Sequence, residues 1–190
     1  MADIKSLLHT NVSEYKEPPK WPAGNYRLSI SSYTLGTNKN SGALGVAFAC
    51  RALSSVEAED EGNPELAEDM VRQLEAYGDW AAKAHSWTWE DKETKAVHLM
   101  GYCPLNFLLQ TPDGDQHAAA SFFYLRDAQT QEESGFVHDV LGLTVPEGTE
   151  LGDVLDLCVG REFYGMFEWV VNPKKPDSPP NLQLSSVSSV

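Results

Sequence analysis

Two stretches of apolar–polar alternation constrain this chain more than any other feature. From Asn25 to Tyr33, the residues Tyr26, Leu28 and Ile30 fall on one side, with Arg27, Ser29, Ser31 and Tyr33 on the other. From Leu44 to Leu53, the residues Leu44, Val46, Phe48 and Cys50 share a side opposite Gly45, Ala47, Ala49 and Arg51. A period of two marks a strand with one buried face, because successive side chains point to opposite faces. Between the runs, Thr34 to Gly42 is rich in Gly, Asn and Ser and carries Lys39 near its tip. Two alternating runs around such a loop predict one long hairpin.

The rest of the chain supplies elements around that hairpin. Residues 1–24 read as an extended lead-in, because Pro18, Pro19 and Pro22 around Trp21 block a regular helix. Residues 57–62 are a solvated acidic connector. Asn63-Pro64-Glu65 then offers a cap, a proline at the first helical position and an acid in the first turn. Leu66, Met70, Leu74, Tyr77 and Ala81 recur at three-to-four spacing, which predicts a helix to about Ala84. Trp87, Trp89, Val97 and Leu99 suggest a small hairpin, and 57–100 as a whole reads as an insertion between strands. Asn106 to Thr111 and Gln116 to Leu125 flank Pro112-Asp113-Gly114-Asp115, a second hairpin signal. Ser134 to Leu143 reads as a short helix closed by Gly142, and Thr149 to Cys158 as another ending at Gly160. Arg161 to Val171 alternates again, with Phe163, Phe167, Trp169 and Val171 on one side, and Asn181 to Val187 returns as an edge strand. Five strands with helical material before the last pair are the element order of a small Greek-key barrel, an order that several β-rich sandwiches share. The expected architecture is a β-rich α+β single domain over 25–190, with the helical acidic insertion at 57–100.

Chemistry is harder to find. The chain contains no Walker A sequence, no G-x-G-x-x-G, no G-x-S-x-G and no H-E-x-x-H. Its five histidines are scattered; His98 with Cys103 makes at most half of a zinc site. Glu90-Asp91-Lys92 and Glu93-Thr94-Lys95 read as a charged turn, and Asp113 and Asp115 are accounted for by the Asp-Gly turn. The expectation is a protein without catalysis, cofactor or metal. Three cysteines at wide spacing suit free thiols in a reducing cytoplasm. No run approaches the ~18 apolar residues that span a membrane, and the opening residues hold no apolar stretch of secretory-signal length.

The net charge of −14 argues at first against nucleic acid. Divided along the chain it becomes +3 over residues 1–56, −9 over 57–93 and −8 over 94–190. Because exposed charges are screened beyond about 8 Å at physiological ionic strength, distant acids hardly weaken a local basic groove. The outward side of the first hairpin holds Arg27, Tyr33 and Arg51 among small residues, with Lys39 at the tip and Lys16, Lys20 and Trp21 in the lead-in. Charge for phosphates beside a plane for bases suits single-stranded nucleic acid; a plain solvated sheet face has the same composition. The tryptophans of the acidic segment read as its own small core.

Two stretches, WPAGNYRLSISSYTLGTNKNSGALGVAFACRAL (Trp21 to Leu53) and LGDVLDLCVGREFYGMFEWVVNPKKPDSPPNLQLSSV (Leu151 to Val187), resemble a family of tailed-phage single-stranded DNA-binding proteins associated with replication and recombination. The shared pattern is a Pro-x-Gly-x-Tyr start, a polar loop and second strand, then a Leu-rich turn, a Gly-basic step, a strand, a polar loop and a final strand. That resemblance implies an oligonucleotide-binding (OB-like) barrel that coats single-stranded DNA in the host cytoplasm. It would put Arg27, Lys39 and Arg51 on the binding hairpin, with Lys20, Trp21 and Tyr33 completing the candidate set. Single-strand-binding proteins often recruit partners through an acidic tail; here no acid follows Asp177, and a protein partner would face 57–93 instead. Oligomerisation is compatible with this picture. Other readings of the same pattern are a virion decoration or accessory protein, and an acidic mimic of DNA.

Overall fold

The computed structural model describes residues 17–85 and 105–190. The expected hairpin is present and longer than the alternation suggests: β1 (Gly24–Thr37) and β2 (Leu44–Ser55) pair antiparallel down to Thr37 opposite Leu44. The loop is therefore only residues 38–43, closed by hydrogen bonds between Asn38 and Ala43 and between Gly42 and Asn38. After β2 comes α1 (Pro64–His85), whose first turn is capped by the Asn63 side chain accepting from the Leu66 amide at 3.3 Å. Met70, Tyr77 and Ala81 are buried as the spacing requires, whereas Leu66 faces solvent. The small hairpin expected around Trp87 to Leu99 lies outside the described residues, as do His98 and Cys103.

β3 (Leu105–Gln110) pairs with β2, and a two-residue ladder of β4 (Leu125–Arg126) and β5 (Glu133–Ser134) follows. The chain then runs through a short helix, α2 (Leu151–Cys158), into β6 (Glu162–Val170) and β7 (Asn181–Ser188). The five long strands form one antiparallel sheet in the order β3-β2-β1-β6-β7, nearly closed into a barrel. Its concave side carries Tyr26, Leu28, Ile30, Val46, Phe48 and Phe163, all buried, and α2 adds Val154, Leu155 and Cys158.

Two expected elements take another form. Gln116 to Leu125 is not a strand: a bridge at Gln116 gives way to a 3-10 turn over Ala118–Phe122, where His117 Nδ1 accepts from the Ala119 amide. Three consecutive alanines are weak strand formers, and the cap favours the turn. Ser134 to Leu143 is helical only over Phe136–Val140, as one wide π-type turn, although Gly142 does close it with φ +64°. Phe123, Phe136 and Val137 from this region are buried in the same core as the sheet.

β1 makes the barrel curve. It pairs with β6 only from Gly24 to Ser29; Ile30 then exchanges hydrogen bonds with Arg161 and Gly160 at 3.0 and 2.8 Å. The register against β2 slips between Ile30 and Ser32, a β-bulge that bends the strand. Past it, β1 continues with β2 alone.

The β2–β3 contact depends on a missing side chain. A Cβ on Gly45 would stand 2.4 Å from the Phe107 carbonyl oxygen, whereas one on Gly36 would meet nothing within 4 Å. Gly45→Ala is expected to lower stability by about 1–3 kcal/mol, the usual cost of overpacking, because backbone must move. Gly36→Ala should be neutral or slightly stabilising, since alanine restricts the unfolded chain. Urea midpoints of the two variants test this; equal midpoints would show that β3 does not lie so close.

Candidate nucleic-acid interface

Antiparallel register brings two rows together on the convex face of the sheet. Arg27 stands opposite Ser54 of β2 and Tyr164 of β6; Ser29 stands opposite Arg51 of β2 and Glu162 of β6. Directly opposed residues share a face, so Arg27, Arg51, Tyr164 and Glu162 form one patch floored by serines. Arg27 and Arg51 are exposed and Tyr164 is half-buried. The guanidinium of Arg27 is engaged: its Nε and Nη2 donate to Glu162 Oε2 at 2.7 and 2.5 Å. An exposed pair of this kind contributes about 0–1 kcal/mol, so a phosphate can displace the carboxylate at little cost.

Tyr33 leaves this face. The bulge after Ile30 adds one residue to the alternation, so Tyr33 turns to the concave side. There it pairs in register with Phe48, and its hydroxyl donates to Asp156 Oδ1 at 2.9 Å. That hydrogen bond raises the phenol above its ordinary range.

Trp21 also differs from the expectation of a stacking residue. It is 8% exposed, with ring centroids 5.5 Å from Tyr26 and 5.2 Å from Tyr77. Once α1 delivers Tyr77, the indole is core, and its faces are taken by protein. The Trp21 carbonyl accepts from Trp169 Nε1 at 3.0 Å, pinning the lead-in to β6. Lys20 sits beside this joint, 2.5 Å from Glu17 Oε1 and 5.9 Å from the Trp169 ring centroid. The ammonium holds the Glu17 carboxyl below its usual range.

Lys39 is exposed in the hairpin loop. At roughly 3.3 Å per strand residue, the loop lies about 30 Å from Arg27, so the lysine and the arginine patch cannot share one nucleotide. Lys16 is outside the described residues. The six candidates thus separate into a joint (Lys20, Trp21), a convex patch (Arg27, Arg51), a concave contact (Tyr33) and a tip (Lys39). Tyr164 is the residue that the sequence reading missed. Its signal was available: Phe163, Gly165 and Phe167 are buried in β6, so the alternation puts Glu162, Tyr164 and Met166 outward.

The two cysteines among the described residues are muted. Burial pushes the Cys50 thiol up to about 12 and the Cys158 thiol to about 11, so neither is a ready nucleophile near neutral pH. Among the described residues, no group of three or more His, Cys, Asp or Glu side chains could hold a metal ion, and no helix is long and apolar enough to cross a membrane. Glu65, Glu68, Glu75 and Asp79 line exposed positions of α1. No protein-family model and no curated protein matches the chain.

Proposed function

We propose that this protein binds single-stranded DNA without catalysis, through the convex face shared by β1, β2 and β6, in phage DNA replication or recombination. The observation that carries the reading is the patch of Arg27, Tyr164 and Arg51. Two cations and an aromatic side chain stand on adjacent strands over small residues that leave room for a chain of nucleotides. Base stacking on an aromatic is worth about 1–3 kcal/mol and tolerates any sequence, so the mode is non-specific.

The strand order and the helix before β6 favour a Greek-key OB-like barrel, in which 57–100 is an insertion between the second and third strands. The acids on α1 then face away from DNA and toward a protein partner. The phage setting and the host cytoplasm come from the sequence resemblance.

The test is fluorescence anisotropy of labelled oligo-dT, oligo-rU and duplex DNA over a salt series. The expected result is tightest binding to oligo-dT, with log K falling linearly against log[salt] at a slope of about −0.7 per phosphate neutralised. No binding to any of them at low salt would remove the reading.

A further inference from the structure

We propose that single-stranded DNA lies lengthwise along the β1–β2 hairpin, from the arginine patch to Lys39 at its tip. This rests on the DNA reading of the convex face and adds a direction and a length to it.

Two directions lead away from Arg27, Arg51 and Tyr164, and carboxylates distinguish them. Of the 28 Asp and Glu residues in the chain, none lies in β1, in β2, in the loop between them or in β3. Past the bulge, the register pairs Ser32 with Ala49, Thr34 with Ala47 and Gly36 with Gly45. These pairs continue the face of Arg51 with neither charge nor bulk, and Ser32, Thr34 and Gly36 are exposed. Toward the other end of the sheet, Glu168 stands exposed on the same face, opposite Gln183 of β7. A polyanion passing that way toward Lys174 and Lys175 meets a carboxylate; one passing toward Lys39 does not.

The acids nearest the tip lie off this path. Asp153 and Asp156 belong to α2 and Glu150 precedes it, on the concave side, where Asp156 accepts from Tyr33. Asp113 and Asp115 lie in the turn after β3, where Pro112 neighbours Gly42 at the β2 end of the loop; Lys39 is at its β1 end. β3 is two strand spacings from β1, about 10 Å. That exceeds the screening length of about 8 Å and favours the β1 row over the β3 side. Among the described residues, no carboxylate pairs with Lys39. Glu162 is the exception beside the patch, and it is held by Arg27.

The distance from Arg27 to the loop sets the footprint. A stacked strand advances about 3.4 Å per nucleotide, so about nine nucleotides cover the track, and fewer do when the bases splay. One oligonucleotide-binding barrel usually takes about 4–16.

Anisotropy titrations with oligo-dT of increasing length test this at about 0.1 M salt, where screening confines each substitution to about 10 Å. Wild-type affinity should climb steeply to about nine nucleotides and only gradually beyond. On a dodecamer, Lys39→Ala should weaken binding several-fold and make the salt slope shallower by about 0.7, one phosphate. Thr34→Glu should weaken it at least about tenfold by like-charge repulsion, and Thr34→Gln, equal in bulk, should not. Lys174→Ala combined with Lys175→Ala should change nothing. Circular dichroism melts identify any variant that misfolds, in which case the other one on the track decides. Sensitivity to the lysine pair but not to Lys39 means that the strand runs the other way. Indifference to both Lys39→Ala and Thr34→Glu means that DNA stays on the arginine patch. Either result overturns the proposal while the DNA reading stands, whereas a wild-type chain that binds no oligonucleotide overturns both.

Discussion

Arg27→Glu combined with Arg51→Glu is expected to weaken binding to oligo-dT by at least about 100-fold at low salt. A hydrogen bond to a charged group contributes about 1.5–3 kcal/mol, so losing two phosphate contacts already costs about 3 kcal/mol before the new carboxylates add repulsion. The salt slope should become shallower by about 1.4, because two fewer phosphates are neutralised. Glu162→Gln should act in the opposite direction. It removes the carboxylate bound to the Arg27 guanidinium at 2.5–2.7 Å, so phosphate no longer competes with it, and affinity should rise several-fold. Neither change threatens the fold, since both arginines are exposed and the ion pair is solvated. If the double variant binds like the wild type while keeping its thermal midpoint, the convex face is not the interface. If Glu162→Gln also weakens binding, Arg27 needs the carboxylate for its orientation and is not merely held back by it.

Alternation located the strands because each has one buried face, and a period of two leaves little choice of where Tyr26, Leu28, Val46 and Phe48 can go. Asn63 and Gly142 marked helix ends for local reasons, a side-chain cap and a positive φ. Long-range effects were less legible. The bulge after Ile30 has no composition of its own; it falls where Ile30 bonds to Gly160 and Arg161, far away in sequence. That single shift moved Tyr33 from the candidate DNA face to the contact with Asp156. Trp21 was misjudged for a related reason: three prolines correctly indicated an extended segment, but nothing near it in sequence announced that Tyr77 would cover the indole. Arg27 and Arg51 keep a common face because the other register slip, between Arg27 and Leu28, puts its extra residue (Leu53) in β2 and leaves the alternation of β1 intact, so Ser29 carries the face of Arg27 across to Arg51. Tyr164 was legible throughout, and emerges as soon as the polar side of β6 is read as closely as its apolar side.

Phe48→Ala should produce the largest loss of stability among single substitutions, about 3–5 kcal/mol. Phe48 is 0% exposed, and its ring centroid lies 6.2 Å from those of Phe107, Phe123 and Phe136 and 6.4 Å from that of Tyr33. Those four rings come from β3, from the turn after Ala118–Phe122, from the π-type turn and from β1 beyond its bulge. Truncation therefore opens a cavity bordered by segments that share few backbone hydrogen bonds with one another, and collapse around it would require several of them to move together. For a chain of this size, each kcal/mol shifts the thermal midpoint by about 2–4 °C, so a fall of at least about 6 °C is expected. Phe122→Ala is the matched control: the same atoms are removed from a side chain that is 73% exposed, and the change should stay within about 0.5 kcal/mol. Equal midpoints for the two variants would mean that the irregular stretch between β3 and α2 does not pack into the sheet. Below its own midpoint, the Phe48 variant should still bind oligo-dT. The register of β1 against β2 and β6, which holds Arg27, Arg51 and Tyr164 together, is made by backbone pairing within the sheet, and those side chains stand on the face opposite the cavity.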